Sequence, residues 1–453
     1  MSKFKSINPY DQQLLETFDQ LTDGELEQAV HNSEQAFLEW REIPMQQKAK
    51  CMHAAAEVLK NNKQKYARDI TLEMGKPISE AIAEIEKCAW VCEYYAENAA
   101  DFLADNTIET DADLSFVSYE SLGPVLAVMP WNYPFWQVFR FAAPNLMAGN
   151  TGILKHASNV MRSGLNIEAV FRQAGFPAHV FQSLRIDHDQ VAELLKNPAI
   201  KAVTLTGSEQ AGRSVAADAG QQLKKSVLEL GGSNAFVVLA DANLEDTAEL
   251  AVQARFQNTG QSCIAAKRFV VETQIYDAFV ERFIHHVKQL KVGDPTDEST
   301  DLGPMARADL AEDLMQLLQQ SINQGAQVIL GGQHEGPMFE PTVVTEVNPD
   351  MPIMQAETFG PLAPIIRAND REHAIELATD TDFGLGVTVC TQDIDFVKQK
   401  LHRFPDGAVF VNELVKSDPR LPFGGTGISG YGRELAKDGI MEFINKKTVY
   451  IKH

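Results

Sequence analysis

Little cysteine, no long apolar run and a shortage of positive charge are the first features of this sequence. Five cysteines (Cys51, Cys88, Cys92, Cys263 and Cys390) in 453 residues are too few for a disulfide framework, which excludes a small secreted scaffold. No apolar run approaches the roughly 18–20 residues of a membrane span. The start, MSKFKSINPYDQQ, lacks the apolar core of a secretory signal. These absences point to a cytoplasmic protein with no membrane partner. Forty Lys and Arg against 62 Asp and Glu leave a net charge of −22, which repels phosphate backbones and argues against nucleic acid. Any anionic ligand must then be held by a few local cations or by helix N-termini. Cys88 and Cys92 stand four apart in a helical stretch, but no His or Cys pair follows at zinc-site spacing. They are expected to pack, and no metal is expected.

What is present divides the chain. At this length one hydrophobic core does not suffice, so two or three domains are expected. Residues 23–104 read as helices, with apolar positions recurring at three and four in AVHNSEQAFLEW and ISEAIAEIEKCAWVCEYYAENAADFL. Thr22 with Asp23, and Asn32 with Ser33, offer cap chemistry at helix starts. From Gly123 short apolar runs alternate with helical segments: GPVLAVMP, TGILKHA, FQSLRI, KAVTLTGS and KSVLELGG. That is the pattern of a parallel sheet with crossover helices. A second series follows between about 233 and 420: AFVVLA, KRFVVE, AQVIL, APIIRA, GVTVCT and GAVFVN. Two α/β domains with parallel-rich sheets are expected. TIETDADLSFVSYE and the terminal NKKTVYIKH alternate polar and apolar residues, as edge or intersubunit strands do.

The chemistry centres on QNTGQSCIAAKR, residues 257–268, which sets Cys263 in a small polar turn followed by two basic residues. A packing cysteine would sit among aliphatic residues, so Cys263 is a candidate nucleophile. A dinucleotide fingerprint occurs at Gly425, Gly427 and Gly430, but too few residues follow for the roughly 30-residue βαβ unit that gives it meaning. KAVTLTGSEQAG is the better site. An apolar strand ends at Gly207 and Ser208, a helix begins at once, and its backbone N–H groups would attract a phosphate. An ordinary strand-to-helix turn explains the same residues equally well. Lys155, ending another strand, could reach a ribose or phosphate or be a surface charge.

Five motifs in order, MPWNYP (129–134), LTGSEQAG (205–212), LELGGSN (228–234), NTGQSC (258–263) and ETFGP (357–361), closed by PFGGTGISGYGRE (422–434), resemble the aldehyde dehydrogenase superfamily across nearly the whole chain. LKHA in place of the commoner LKPA resembles the short bacterial succinate-semialdehyde dehydrogenases. The resemblance implies a dinucleotide-binding domain (1–107 and 122–229), a catalytic domain (230–433) and a β bridging element (108–121 and 434–453). That element would pair subunits into a homodimer or homotetramer.

It also implies roles. Cys263 resembles the nucleophile that adds to an aldehyde, its thiolate fraction raised above the few per cent of a free thiol at neutral pH by a cationic nicotinamide nearby. The amide of Asn132 and the Cys263 backbone N–H would hold the oxyanion. Hydride leaves for NADP or NAD, and Glu229 would activate the water that hydrolyses the thioester. Glu229 also follows Gly207 at about the 20-residue distance of a ribose-binding acid in an ordinary Rossmann unit; the order of the motifs favours the base. Trp131, Lys155, Gly207, Ser208, Leu230, Glu357 and Phe359 match cofactor contacts. Ser158 stands where many NAD-preferring relatives carry an acid, and His156 and Lys155 lie close by in sequence, so use of NADP is expected, with NAD accepted.

For the substrate, Arg140 in WNYPFWQVFR matches a carboxylate-binding arginine, against the plainer reading of a surface arginine on a helix. Gln257, where some relatives have a second arginine, and Ser417 would add hydrogen bonds. Two other classes fit less well. A papain-like hydrolase needs a histidine partner, and none of the eleven histidines lies in a recognisable second motif. A non-catalytic descendant would tolerate loss of Cys263, Glu229 or Asn132, yet all three are present.

Overall fold

The computed structural model describes residues 3–453. All five runs of the first series form strands of one parallel array, in the spatial order Lys225–Glu229, Ala202–Thr206, Pro124–Val128, Thr151–Lys155 and Phe181–Leu184. Thr151–Lys155 and Ala202–Thr206 are buried at every position, because helices cover both faces and neither side of such a strand sees water. Successive side chains point to opposite faces. Ala127 and Leu154 therefore pack with Phe139 and the helices of residues 45–102, while Leu126 and Ile153 pack with Leu26 and Leu194 on the other side.

The second series forms a seven-stranded sheet in the order Gln327–Leu330, Thr342–Thr345, Leu362–Ala368, Ala266–Glu272, Asn234–Val238, Val387–Cys390 and Val409–Val411. Only Gln327–Leu330, at one edge, runs antiparallel. Its faces divide likewise: Phe236 and Phe269 meet Phe279 and Phe283, and Val237 and Val270 meet Leu314 and Leu318.

Leu114–Ser121 and Ile444–Ile451 pair antiparallel along their whole length, with Asn106–Thr107 as a third strand. Gly430–Tyr431, inside the range expected for the second domain, instead pairs antiparallel with Lys225–Glu229 at the edge of the first sheet. Thr426–Gly427 pairs with Phe383–Gly384, so the rejected glycine fingerprint forms two short ladder segments.

Two details of the helical region depart from expectation. Thr22 caps the helix Asp23–Trp40 in a reciprocal capping box with Glu25. Asn32 and Ser33, expected at a helix start, lie inside that same helix. Ser33 is tolerated there because its buried hydroxyl shares a 2.9 Å hydrogen bond with the Thr151 hydroxyl on the adjoining sheet. A hairpin of Lys3–Ile7 and Leu14–Asp19 precedes the helix. Cys88 and Cys92 lie on the buried face of the helix Ile78–Phe102. Among the described residues no helix is long and apolar enough to cross a membrane.

Candidate active site

The two large sheets meet where Lys225–Glu229 gives way to Asn234–Val238. The connecting turn must be small, because a Cβ on Gly231 would collide with Glu357 Oε2 and one on Gly232 would fall 2.7 Å from the Cys263 carbonyl oxygen. Backbone from the turn thus reaches both the loop bearing Cys263 and the ETFGP segment.

The loop bearing Cys263 leaves the helix Leu244–Phe256 through Asn258 and Thr259, both in the left-handed region at φ 54°. That conformation is uncommon for asparagine and costly for a β-branched threonine. Dense hydrogen bonding holds it. Asn258 N–H donates to Glu80 (2.7 Å), and its Nδ2 donates to the carbonyls of Asn132 (2.9 Å) and Gln261 (3.0 Å). The buried Arg255 guanidinium donates to the carbonyls of Ala266 (2.7 Å), Gly260 (3.1 Å) and Thr358 (3.1 Å), and also to Gly360. One cation therefore ties the Cys263 loop to the segment carrying Glu357 and Phe359. Asn132 is buried, and its Nδ2 donates to Gln261 O at 3.1 Å. A primary amide has a second N–H, which remains for a ligand.

Cys263 is half-buried, and burial pushes its thiol up to about 11, with Lys267 and then Arg140 pulling the other way. Lys267 has no exposed side-chain surface. Its Nζ donates to Gly232 O (2.6 Å), Cys263 O (2.9 Å) and Glu357 Oε1 (2.7 Å). Glu357 Oε1 also accepts Gly232 N–H at 3.1 Å. The rings of Trp131 and Phe359 meet edge to face with centroids 5.7 Å apart.

Glu229 ends its strand buried, with neither carboxylate oxygen hydrogen-bonded. Burial raises its pKa well above the usual carboxylate range; the Glu434 carboxylate adds to this, and Arg140 and Arg433 oppose it. Glu434 is ion-paired with Arg140.

At the ends of the first sheet, Gly207 N–H donates to Glu229 O (3.0 Å), and Ser208 caps the helix Glu209–Gln221 through a 3.3 Å bond from Ala211 N–H. A Cβ on Gly207 would meet nothing closer than Leu205 Cδ2 at 3.6 Å, an ordinary contact. No protein neighbour accounts for that glycine, and the open ground beside a helix N-terminus fits a phosphate-bearing cofactor. Leu230 is buried against the same helix, over Gly212. Lys155 is buried at its strand end and Ser158 is exposed.

His156, close to Ser158 in sequence, does not turn towards the surface with it. It is fully buried, its Nε2–H donates to Pro134 O (2.8 Å), and its Nδ1 accepts Ala157 N–H (2.9 Å). Burial brings its pKa down to about 4, so the ring is neutral at physiological pH.

Arg140, Gln257 and Ser417 line one cavity of about 520 Å³ with Cys263. Arg140 is not the surface residue of the plainer reading. It is 1% exposed, is ion-paired with Glu434, and lies over the Phe423 ring at 4.6 Å. Sequence reasoning missed Lys267, Arg255, Glu434, Glu80 and Lys87. Of these only Lys267 carried a local signal, as a cation four residues after the thiol.

A thiol, an amide donor and an unpartnered carboxylate stand together at the junction of two parallel-rich sheets, a set that suits an enzyme of covalent, thiol-based chemistry. Residues 1–449 match the Aldehyde dehydrogenase family, and the chain belongs to it; the protein is an aldehyde dehydrogenase that uses a nicotinamide cofactor. It is 46% identical over 453 residues to the succinate-semialdehyde dehydrogenase [NADP(+)] of Mycolicibacterium paratuberculosis, covering 98% of this chain and 96% of that one. Against succinate-semialdehyde dehydrogenase [NADP(+)] 1 of Mycobacterium tuberculosis it is 43% identical over 452 residues, covering 98% and 99%. The crystal structure of succinic semialdehyde dehydrogenase from Streptococcus pyogenes in complex with NADP+ superposes with a TM-score of 0.97 at 36% identity, covering 99% of this chain and 100% of that one.

Proposed function

We propose that the protein oxidises succinate semialdehyde to succinate with NADP, and accepts NAD as well. The reading is carried by the cavity that Cys263 shares with Arg140, Gln257 and Ser417; the names of the relatives above support it. An acidic chain needs a local cationic pocket to hold a carboxylated aldehyde.

Cys263 Sγ loses its proton and adds to the aldehyde carbon. The resulting oxyanion takes hydrogen bonds from the second N–H of Asn132 and from the Cys263 backbone N–H. Loss of one such donor costs about 2.7–4 kcal/mol of transition-state stabilisation. When bound, the nicotinamide supplies the hydride acceptor. Trp131, Phe359 and Glu357 would hold that end of it, with Gly207, Ser208, Lys155, Ser158 and Leu230 along the rest. Glu229 takes a proton from the water that attacks the Cys263 thioester. Burial raises its pKa above the usual carboxylate range, which makes it a stronger base than an ordinary carboxylate. In this reading residues up to 107, residues 122–229 and the returning strand Gly430–Tyr431 form the cofactor domain, 230–429 the catalytic domain, and the paired strands Leu114–Ser121 and Ile444–Ile451 join subunits of a cytoplasmic homodimer or homotetramer.

Steady-state kinetics with succinate semialdehyde and butyraldehyde, each with NADP and NAD, test the reading. The semialdehyde should be favoured in kcat/KM. Equal values for the two aldehydes would leave only a general aldehyde dehydrogenase, and an NAD preference above about a thousandfold, roughly 4 kcal/mol, would remove the assignment to NADP.

A further inference from the structure

Glu80 stands in the first turn of the helix Ile78–Phe102, half-buried in the wall of the Cys263 cavity together with Tyr133 and Ser262. Among the described residues it forms no ion pair. The neighbouring cation, Lys76, is taken by Glu84 and lies 3.6 Å from the centroid of the Tyr133 ring. Glu84 in turn accepts the N–H groups of Phe135 (2.8 Å) and Trp136 (2.9 Å). The contact left to Glu80 is the 2.7 Å bond that its Oε2 accepts from Asn258 N–H.

That bond falls where the strain of the Cys263 loop begins. Asn258 and the Thr259 that follows are both left-handed, and such backbone persists only where its surroundings over-determine it. Asn258 Nδ2 donates to the carbonyls of Asn132 and Gln261, and Asn132 Nδ2 donates to that same Gln261 carbonyl. Asn258 therefore stands between Glu80 on one side and the Asn132 amide and the chain leading to Cys263 on the other. The acceptors of its side chain are neutral carbonyls, whereas Glu80 offers a carboxylate. A hydrogen bond to an ionised acceptor is roughly twice as strong as one to a neutral acceptor, so Glu80 is the strong end of this set.

We propose that Glu80 is a positioning residue for addition of the thiol to the aldehyde: by holding Asn258 it keeps the Asn132 amide and the Cys263 backbone N–H in the geometry that receives the oxyanion. The proposal rests on the roles given above to Cys263, Asn132 and Glu229. Glu80 acts through Asn258 and needs no contact with substrate or cofactor.

Burial raises the Glu80 carboxyl to about 7; Lys76 and then the Asn258 N–H pull the other way, and Glu84 and Asp301 add to the rise. The Tyr133 hydroxyl beside it is pushed well above its usual range by burial and stays neutral. The anchor is thus charged above about pH 7 and neutral below it.

The burst of reduced cofactor in a Glu229→Gln enzyme reports thiol addition and hydride transfer without deacylation, and it removes the titration of Glu229. With succinate semialdehyde and NADP, adding Glu80→Ala should slow the burst roughly tenfold to a hundredfold at unchanged amplitude per subunit. Adding Glu80→Gln, which keeps a neutral acceptor for Asn258 N–H, should slow it only roughly threefold. Dividing the burst rate of the Glu229→Gln parent by that of the Glu80→Gln form at each pH cancels the ionisation of Cys263. From about pH 5.5 to about pH 9 this quotient should climb from near unity to a plateau, with its midpoint at about 7. A flat quotient would overturn the proposal. A quotient below unity would show that Glu80 acts on the thiol by its charge, and would overturn it too, as would a loss of burst amplitude in both Glu80 variants, the mark of a purely structural role. A parent enzyme without a burst, or a burst that survives Cys263→Ala, would instead defeat the reading of the site and this proposal with it.

Discussion

Two glutamates flank the reacting centre and are treated in opposite ways. Glu357 is half-buried and anchored, its Oε1 accepting from the Lys267 ammonium and the Gly232 N–H. Glu229 is buried and anchored by nothing, with a raised pKa and a second carboxylate, Glu434, close by. A carboxylate fixed by a cation is a positioner: it stays in place. An acid with empty lone pairs and a raised pKa is free to exchange a proton with water. The same residue type thus serves two purposes, according to whether the neighbourhood supplies donors.

The sharpest way to break this contrast is Glu229→Gln. With the base gone, kcat should fall by about 10²–10⁴-fold, while one equivalent of reduced cofactor still appears in a burst. In the wild type, Glu229 is protonated at low pH and ionises as pH rises, so deacylation should accelerate with pH; that limb should vanish in the variant. Thermal stability should scarcely change, because no hydrogen bond to the carboxylate is lost. A variant without the burst, or one markedly less stable, would show that Glu229 is not a free base.

Lys267→Met should reverse that balance. Three acceptors lose their donor, two of them carbonyls at the site, and the buried unsatisfied groups should cost about 3 kcal/mol of stability. Thermal unfolding would register it. With the nearest cation removed, the Cys263 thiol should also alkylate more slowly at a given pH in the absence of cofactor. An unchanged melting temperature would mean that Glu357 is not anchored as described.

The smallest effect is expected from a carboxylate set on open ground. Ser158→Asp should leave stability unchanged, since the position is exposed. It should lower the NADP-to-NAD ratio of kcat/KM by roughly tenfold, about 1.4 kcal/mol. Kinetics with both cofactors measure it, and an unaltered ratio would move the adenosine ribose away from residue 158.

How much of this could be read from the chain follows from the range of each interaction. Strands such as KAVTLTGS announce themselves because a parallel strand covered on both faces is apolar throughout. Cys263 and Glu229 stand in local motifs. Lys87 does not: in EIEKCAW it reads as one more solvated charge, and only the fold brings Ser417 and Trp136 to it. The pairing of Arg140 with Glu434 and the burial of His156 were equally illegible, since each depends on a neighbour distant in sequence. Even the cap expected at Asn32 and Ser33 failed for that reason, because Thr151 satisfies the serine from another layer.

The short turn after Glu229 has one further consequence. The chain crosses from the first sheet to the second through residues 230–233 and returns to the first at Gly430–Tyr431. Both crossings lie beside the same carboxylate: a Cβ on Gly424, in the returning segment, would sit 2.7 Å from Glu229 Oε1. Two covalent crossings side by side define an axle. Points on an axle move least when the bodies it joins rotate, and the far rims of the groove move most. Any rotation of one layer against the other would therefore disturb the surroundings of Glu229 least.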